Sequence, residues 1–191
     1  MANNFVARAA LLFSTILVAL AAPAASAAPL VVDAVHSTVL FRIKHLNTSF
    51  AWGRFDDISG KLNLDDKSPS LEIQLKAESI DTGNAKREEH LKSPDFFSAK
   101  QFPTISFRST KITKTGDGKY TVDGTLKLHG VEQPLSVELE RTGAGKNQQG
   151  TAIEGFETTF KIKRSDYGMK FLLLGLSDEV LLIVSLECGA M

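Results

Sequence analysis

Phe160-Lys161-Ile162-Lys163-Arg164-Ser165-Asp166-Tyr167-Gly168-Met169-Lys170-Phe171-Leu172-Leu173-Leu174-Gly175-Leu176 changes character twice along its length. Its first four residues alternate apolar and basic, the period-two pattern of a strand with one face turned to a core. Arg164 to Gly168 supplies turn chemistry, and Met169 to Leu176 is then almost wholly apolar where a connection between strands is ordinarily polar. A connection of that kind covers, or faces, something that water rejects. The rest of the chain supplies the walls around it.

Upstream, Phe156 and Thr158 extend the alternation of Phe160 and Ile162. Downstream, Val180 to Glu187 is apolar on both faces until Ser185, which predicts a strand covered on both sides. Near the other end of the chain Val39, Phe41, Ile43 and His45 share one face of a strand, with Leu40, Arg42 and Lys44 on the other. Phe50-Ala51-Trp52-Gly53-Arg54-Phe55 follows a turn at Asn47 to Ser49, and Gly53 predicts a bend or a close approach. The next alternation, through Ile58, Gly60, Leu62 and Leu64, has the opposite parity to Phe55, so a bulge is expected at Asp56-Asp57. Leu71 to Ala77 forms a third strand. Further strands run from Thr104 to Thr110, through Tyr120 to Leu128 after the Asp117-Gly118 hairpin, and through Leu135 to Glu140, with a Gly- and Gln-rich loop from Gly143 to Gly150.

Between the third and fourth strands the period changes. Asn84 to Leu91 is rich in helix formers, and Ser93-Pro94-Asp95 has the pattern of an N-cap followed by Pro at the first helical position. Two short helices are expected across one end of a sheet. Eight strands joined mostly as hairpins, with no repeated strand-helix alternation, point to an all-β fold: an eight-stranded antiparallel barrel, closed because closure removes exposed edges. A two-sheet sandwich fits the same pattern. A barrel of this size either fills with side chains or holds one small ligand.

The termini and composition narrow the setting. Residues 1–27 carry Arg8, an apolar run from Ala9 to Leu20, and the small-x-small site Ala25-Ser26-Ala27, so they are expected to be a secretory signal cleaved near Ala27. The barrel domain then spans residues 28–191, in a periplasmic or secreted protein. With 22 basic and 22 acidic residues and no basic stripe, nucleic acid is excluded as a partner. Cys188, the sole cysteine, has no intramolecular partner and is expected to be a small residue at the end of the last strand.

His36, His45, His90 and His129 lie far apart without metal-ligand spacing, so no metal site is expected. His45 continues the inward face of its strand. Arg87 and His90 are three apart on one helix face and, with Asp95, form either a polar rim at a barrel mouth or a solvated helix surface. No nucleophile elbow, phosphate loop or dinucleotide fingerprint is present. The aromatic inventory stands out: 12 Phe against 2 Tyr and 1 Trp, bulk without a polar handle. Phe50, Trp52 and Phe55, then Phe96 and Phe97, then Tyr167, Met169 and Phe171 fall near strand ends or connections, where they are expected to rim one opening. Phe41, Ile43, Phe107, Phe160 and Ile162 are expected to line what lies beneath.

These residues carry a resemblance. Asp33, His36-Ser37, Phe41 to Leu46 and Trp52-Gly53-Arg54-Phe55, then Ser79-Ile80-Asp81-Thr82, Arg87 and His90 to Phe97 stand in the order and spacing of one family. Phe102 to Phe107, Gly124 to Val131, Arg164 to Gly168 and Asp178-Glu179-Val180 continue it. From about Val32 to Glu187 the chain resembles the YceI-like family of periplasmic polyisoprenoid-binding proteins. The resemblance implies a lipocalin-like eight-stranded barrel with a helical insert and an apolar tunnel for an extended isoprenoid. It also implies ties to envelope stress or quinone-related processes and no demonstrated catalysis. The run Phe171 to Leu174 is more apolar than the resemblance leads one to expect.

The leading expectation is a carrier or sequestering protein for a polyisoprenoid, an isoprenoid quinone or a fatty-acyl lipid, working as a monomer or homodimer without a cofactor. It would touch a membrane surface transiently, and any polar head would be read by His45, Arg87, His90, Asp95 or Tyr167. Two alternatives stand beside it. One is an enzyme with His45 or His90 as base, which needs a carboxylate within reach and a polar pocket floor. The other is a solid structural barrel whose Phe and Leu side chains meet at the axis.

Overall fold

The last alternating segment returns to pair with the first, so the sheet closes into a ring, with an unpaired edge at the short Ile80–Asp81 strand. The computed structural model describes residues 29–190; the expected signal segment lies outside them. Eleven strand segments make up eight staves. β1 (Leu30–Val32) and β2 (Thr38–His45) are halves of the first, β3 (Ser49–Phe55) and β4 (Ile58–Asn63) of the second, β5 (Ser70–Lys76) and β6 (Ile80–Asp81) of the third. β7 (Thr104–Gly116), β8 (Lys119–Leu128), β9 (Val131–Lys146), β10 (Ala152–Lys163) and β11 (Leu176–Ala190) complete the ring. β11 closes it, pairing with β10 on one side and with both β2 and β1 on the other, where Leu182 faces Phe41 and Cys188 faces Val32. The expected all-β, eight-stranded antiparallel barrel is therefore the fold, and the sandwich is not.

The interruption at Asp56-Asp57 lies where the parity of the apolar residues changes. β3 pairs with β2 and β6, and β4 with β1 and β5, so the second stave bends there while keeping Phe55 and Ile58 both buried. β1 and β6 are short additions that the alternation alone did not reveal. The Gly143 to Lys146 stretch, expected as loop, belongs to β9 and pairs with β10 as far as Lys146 opposite Ala152. Main-chain pairing there needs no side chain.

The two ends of the barrel differ. At the lower end Leu62, Val122, Phe156 and Cys188 are fully buried in one core cluster and close the axis. At the upper end lie the helical insert, the β2–β3 turn and the connection from Arg164 to Gly175. The insert holds one α-helix, α1 (Ala85–Lys92), rather than two. Asn84 caps it by accepting from Arg87 N at 3.0 Å, and Glu88 reaches back to accept from the backbone N–H groups of Thr82 and Asn84 at 2.8 and 2.9 Å. Those bonds hold the Glu88 carboxyl below its ordinary range. Ser93 is the C-cap of α1, not the N-cap of a second helix: Pro94 forces the residue before it out of the helical region, and Ser93 adopts ψ 170°. A single turn follows, stopped at Ser98, whose φ is +46°.

β11 also corrects an expectation. Val180, Leu182, Val184 and Leu186 point inward, which leaves Leu181 and Ile183 on the outer face beside Arg42 and Leu40. That face is half-buried by its neighbours on the sheet rather than covered by a second layer.

Candidate ligand-binding cavity

The inward faces of the staves line a cavity of about 180 Å³ along the barrel axis, from Arg164, Met169 and Leu176 at the upper end down to Leu71, Leu139 and Leu186. Of the residues expected to line it, Phe41, Ile43, Phe55, Phe107, Phe160 and Ile162 do so from the wall. Phe96, Phe97 and Met169 do so from above. Two glycines make the room that the rings occupy: a Cβ on Gly53 would lie 2.3 Å from Phe41 Cζ, and one on Gly124 would lie 2.4 Å from Phe107 Cζ. The close approach expected at Gly53 is the approach of a ring across the sheet. Phe41, Phe55 and Phe97 continue as a chain of aromatic contacts, with centroids 5.8 and 5.5 Å apart.

Above the cavity a vestibule of about 460 Å³ opens at the top of the barrel, lined in part by Ser49, Thr82, Arg87, His90 and Phe171. Phe41, Ile43, Leu91, Phe96 and Leu176 border both spaces and form the neck between them. His90, Phe96 and Phe171 meet edge to face over this neck, with centroid distances of 5.1 to 5.3 Å. The apolar connection thus touches the helical insert across the mouth.

The remaining expected residues lie around the vestibule or beside the cavity. Phe50 and Trp52 border the vestibule from the outer face, opposite Lys44 and Arg42 in the β2–β3 register, because Phe41 and Ile43 opposite Gly53 and Ala51 take the inner one. The Arg42 guanidinium lies over both rings, 4.3 Å from the Phe50 centroid and 5.5 Å from that of Trp52. Tyr167 is buried beside the cavity without lining it, and burial pushes its hydroxyl above the ordinary value. Among the polar residues, Arg87 is turned to Thr82, donating from Nε to its Oγ1 at 2.9 Å and from Nη2 to its carbonyl at 2.6 Å. His90 Nε2 lies 2.9 Å from Asp95 Oδ2, so these two are brought together at the mouth. His45 borders the vestibule at the end of β2.

Arg164 is the functional-site residue that sequence reasoning passed over. Its guanidinium is buried and donates to four carbonyls, two in the connection and two at the start of β11: Nη1 to Met169 and Phe171 at 2.9 and 2.8 Å, Nη2 to Leu176 at 3.1 Å and Nε to Ser177 at 3.0 Å. One planar fork therefore fixes the shape of the apolar lid. Burial lowers its pKa, opposed by the charge of Asp178. Burial works against ionised Asp178, but hydrogen bonds from the Ser165 N–H and hydroxyl, with the nearby Arg164 and Lys163 charges, keep its carboxyl below the ordinary value. His129 braces the same connection, its Nδ1 3.0 Å from the Tyr167 carbonyl oxygen.

The cavity holds one polar irregularity. Thr158 lines it from β10, and its hydroxyl is buried without a hydrogen-bond partner. Far below the mouth, Asp33, His36 and Glu187 bring one potential ligand atom each within 4.8 Å of one another. His36 Nδ1 is 2.9 Å from Asp33 Oδ2, and that hydrogen bond with the two carboxylate charges raises its pKa, so the nitrogen favours a proton.

An axis closed below, an apolar cavity beneath a neck of aromatic and aliphatic side chains, and an apolar lid define a lipocalin-like barrel with an internal hydrophobic cavity. The YceI-like domain profile matches residues 30–188, and the chain belongs to that family. A UPF0312 protein of Yersinia pestis (strain Pestoides F) is 39% identical over 155 residues, 80% of each chain. Among solved structures, the Campylobacter jejuni YCEI protein superposes with a TM-score of 0.70 at 33% identity, over 78% of this chain and 90% of its own. A polyisoprenoid binding domain from Saccharophagus degradans, implicated in plant cell wall breakdown, shares the fold with a TM-score of 0.71 at 18% identity, over 86% and 99% of the two chains.

Proposed function

We propose that this protein is an exported carrier or sequestering protein that holds one polyisoprenoid, isoprenoid quinone or fatty-acyl chain in its barrel, released into the periplasm or beyond after loss of residues 1–27. The observation that carries the reading is the apolar cavity beneath its neck. The fold shared with a polyisoprenoid binding domain supports the choice of ligand. Burial supplies the driving force: at about 0.8 kcal/mol per CH₂, each five-carbon unit contributes roughly 3 to 4 kcal/mol before the costs of ordering the chain.

Volume sets the mode of binding. An apolar cavity of about 150 Å³ takes up benzene, so the cavity here, at about 180 Å³, holds between one and two isoprene units. A longer chain has to thread the neck into the vestibule, with Phe96 and Leu91 turning aside. Loading is then limited by the neck, and the depth of the closed lower end limits how far the chain descends.

Native mass spectrometry of protein gently isolated from its own compartment, followed by lipid extraction, tests the reading. Stoichiometric prenyl or acyl lipid is expected. Protein that is reproducibly empty, and that takes up no prenyl alcohol from detergent, would refute it. One observation favours a second reading, an enzyme with His90 as base: Asp95 stands within hydrogen-bond reach of it. Recovery of bound lipid with the same composition from native protein and from an Asp95→Asn variant would remove that reading.

A further inference from the structure

We propose that the upper end of the barrel is a docking surface for anionic phospholipid bilayers, with the β2–β3 turn and the lid entering the headgroup region together. Eight large hydrophobic residues are exposed among the described residues, and all but Val35 stand at this end. They come from two places in the chain. Leu46, Phe50 and Trp52 belong to the β2–β3 hairpin, and Phe171 to Leu174 form the tip of the lid. The hydrogen bond from Leu46 N to the Gly175 carbonyl, 2.7 Å, joins the two into one surface.

The shape and charge of this surface choose the partner. Leu174 is fully exposed and Leu172 half exposed on a turn that holds Leu172 at φ +52°, with its carbonyl accepting from both Gly175 and Leu176. Apolar side chains are thus presented on a projecting tip, which a deformable interface accommodates and a preformed protein groove would have to match. Cations flank it. Lys44 stands opposite Phe50 on the outer face and Lys170 precedes Phe171, and neither forms a salt bridge among the described residues. Arg42 lies over Phe50 and Trp52. Three of the acidic groups at this end are engaged within the protein: Glu88 in the helix cap, Asp95 with His90, and Asp178 with Ser165. An apolar tip carrying Trp and ringed by cations matches the interface of a bilayer with anionic lipid. The vestibule opens within this surface, so docking would bring the neck to the acyl chains.

The inference extends the carrier reading and is tested apart from it. Trp52 is the sole tryptophan of the chain and lies in the patch, so its emission reports docking directly. Delipidated protein is mixed with phosphatidylcholine vesicles, with or without phosphatidylglycerol and free of isoprenoid, while cargo uptake is measured separately in detergent. A blue shift of Trp52, quenching by lipids brominated in the acyl chain, and co-sedimentation with the anionic vesicles are expected. At about fivefold per cation near the anionic surface, three cations raise partitioning by about a hundredfold over neutral vesicles, an advantage that added salt removes. Leu173→Asp and Leu174→Asp, both solvent-exposed changes, are each expected to lower partitioning about tenfold or more while leaving the urea midpoint unchanged. Absence of a Trp52 shift on anionic vesicles at low salt overturns the proposal. So does a concentration-dependent dimer that the same leucine substitutions abolish while vesicle binding is absent, since a second copy would then be the occupant.

Discussion

Replacement of Arg164 by Met removes the guanidinium that ties the lid's carbonyls to one another and to the start of β11. The guanidinium donates to four carbonyls, and hydrogen bonds to a charged group contribute about 1.5 to 3 kcal/mol each. Simple addition gives roughly 6 to 12 kcal/mol, which overstates the loss. Carbonyls near the mouth regain water when the lid loosens, and Met refills part of the vacated volume. An expected destabilisation of about 3 to 5 kcal/mol remains, the range for removing one member of a buried charged network. With a urea m-value of about 2 kcal/mol/M, the unfolding midpoint falls by about 2 M. Loosening is expected to be local before it is global: the amides of Met169, Gly175 and Leu176, bonded within the connection, lose hydrogen-exchange protection while those of β8 and β9 keep it. Arg164→Lys keeps the charge, but its ammonium cannot span the same carbonyls, so its midpoint falls between the other two. A Met variant whose midpoint lies within about 0.3 M of the parent, with exchange unchanged through the lid, would refute the assignment of Arg164 as the residue that shapes it.

Other outcomes follow from single groups. Thr158→Val removes a buried hydroxyl that has no partner, so it is expected to stabilise the empty protein by about 1 kcal/mol, seen as a rise of about 2–4 °C in thermal midpoint; a fall would mean that the hydroxyl is satisfied in solution. His36 is held above its ordinary pKa of 6.5 chiefly by its hydrogen bond to Asp33, so NMR titration of Asp33→Asn should move its midpoint down. The sign for stability is fixed by the same shift: the pair's contribution is complete below the unfolded value and is lost as pH rises through the raised folded value, and a pH-independent difference between the variant and its parent would contradict it. Cys188 is buried, and its pKa is raised to about 11, first by burial and then by Glu154 and Glu187. Iodoacetamide at mildly alkaline pH should therefore label it only after unfolding, and rapid labelling of native protein would show the lower end to be open.

Residue periodicity fixed which segments are strands and, through turn chemistry, that they pair with neighbours. Period-two alternation is a local property that burial of one face imposes on each strand separately. The parity change after Phe55 located the break at Asp56-Asp57 for the same reason. The end of α1 was legible in principle, because Pro94 restricts Ser93, but the pattern Ser-Pro-Asp matches a helix start equally well. Orientation of aromatics was harder. Phe50 and Trp52 were grouped with Phe55 by density, whereas small Ala51 and Gly53 opposite bulky Ile43 and Phe41 carried the signal that the inner face lay on the other parity.

What the sequence determined by itself, then, is eight strands joined mostly as hairpins with an apolar connection after Ile162, because both follow from side-chain order along the chain; closure into a barrel rather than a sandwich was decided by the pairing of β11 with β2 and β1. Only the tertiary structure decided that the axis is closed below by Leu62, Val122, Phe156 and Cys188, that the cavity above them reaches down to Leu71, Leu139 and Leu186, and that Arg164 spends its donors on carbonyls up to thirteen residues away. It also decided that Phe50 and Trp52 join the leucines of the lid on the outside. Each of these depends on which residues closure and register bring face to face across the barrel, and no local period encodes that.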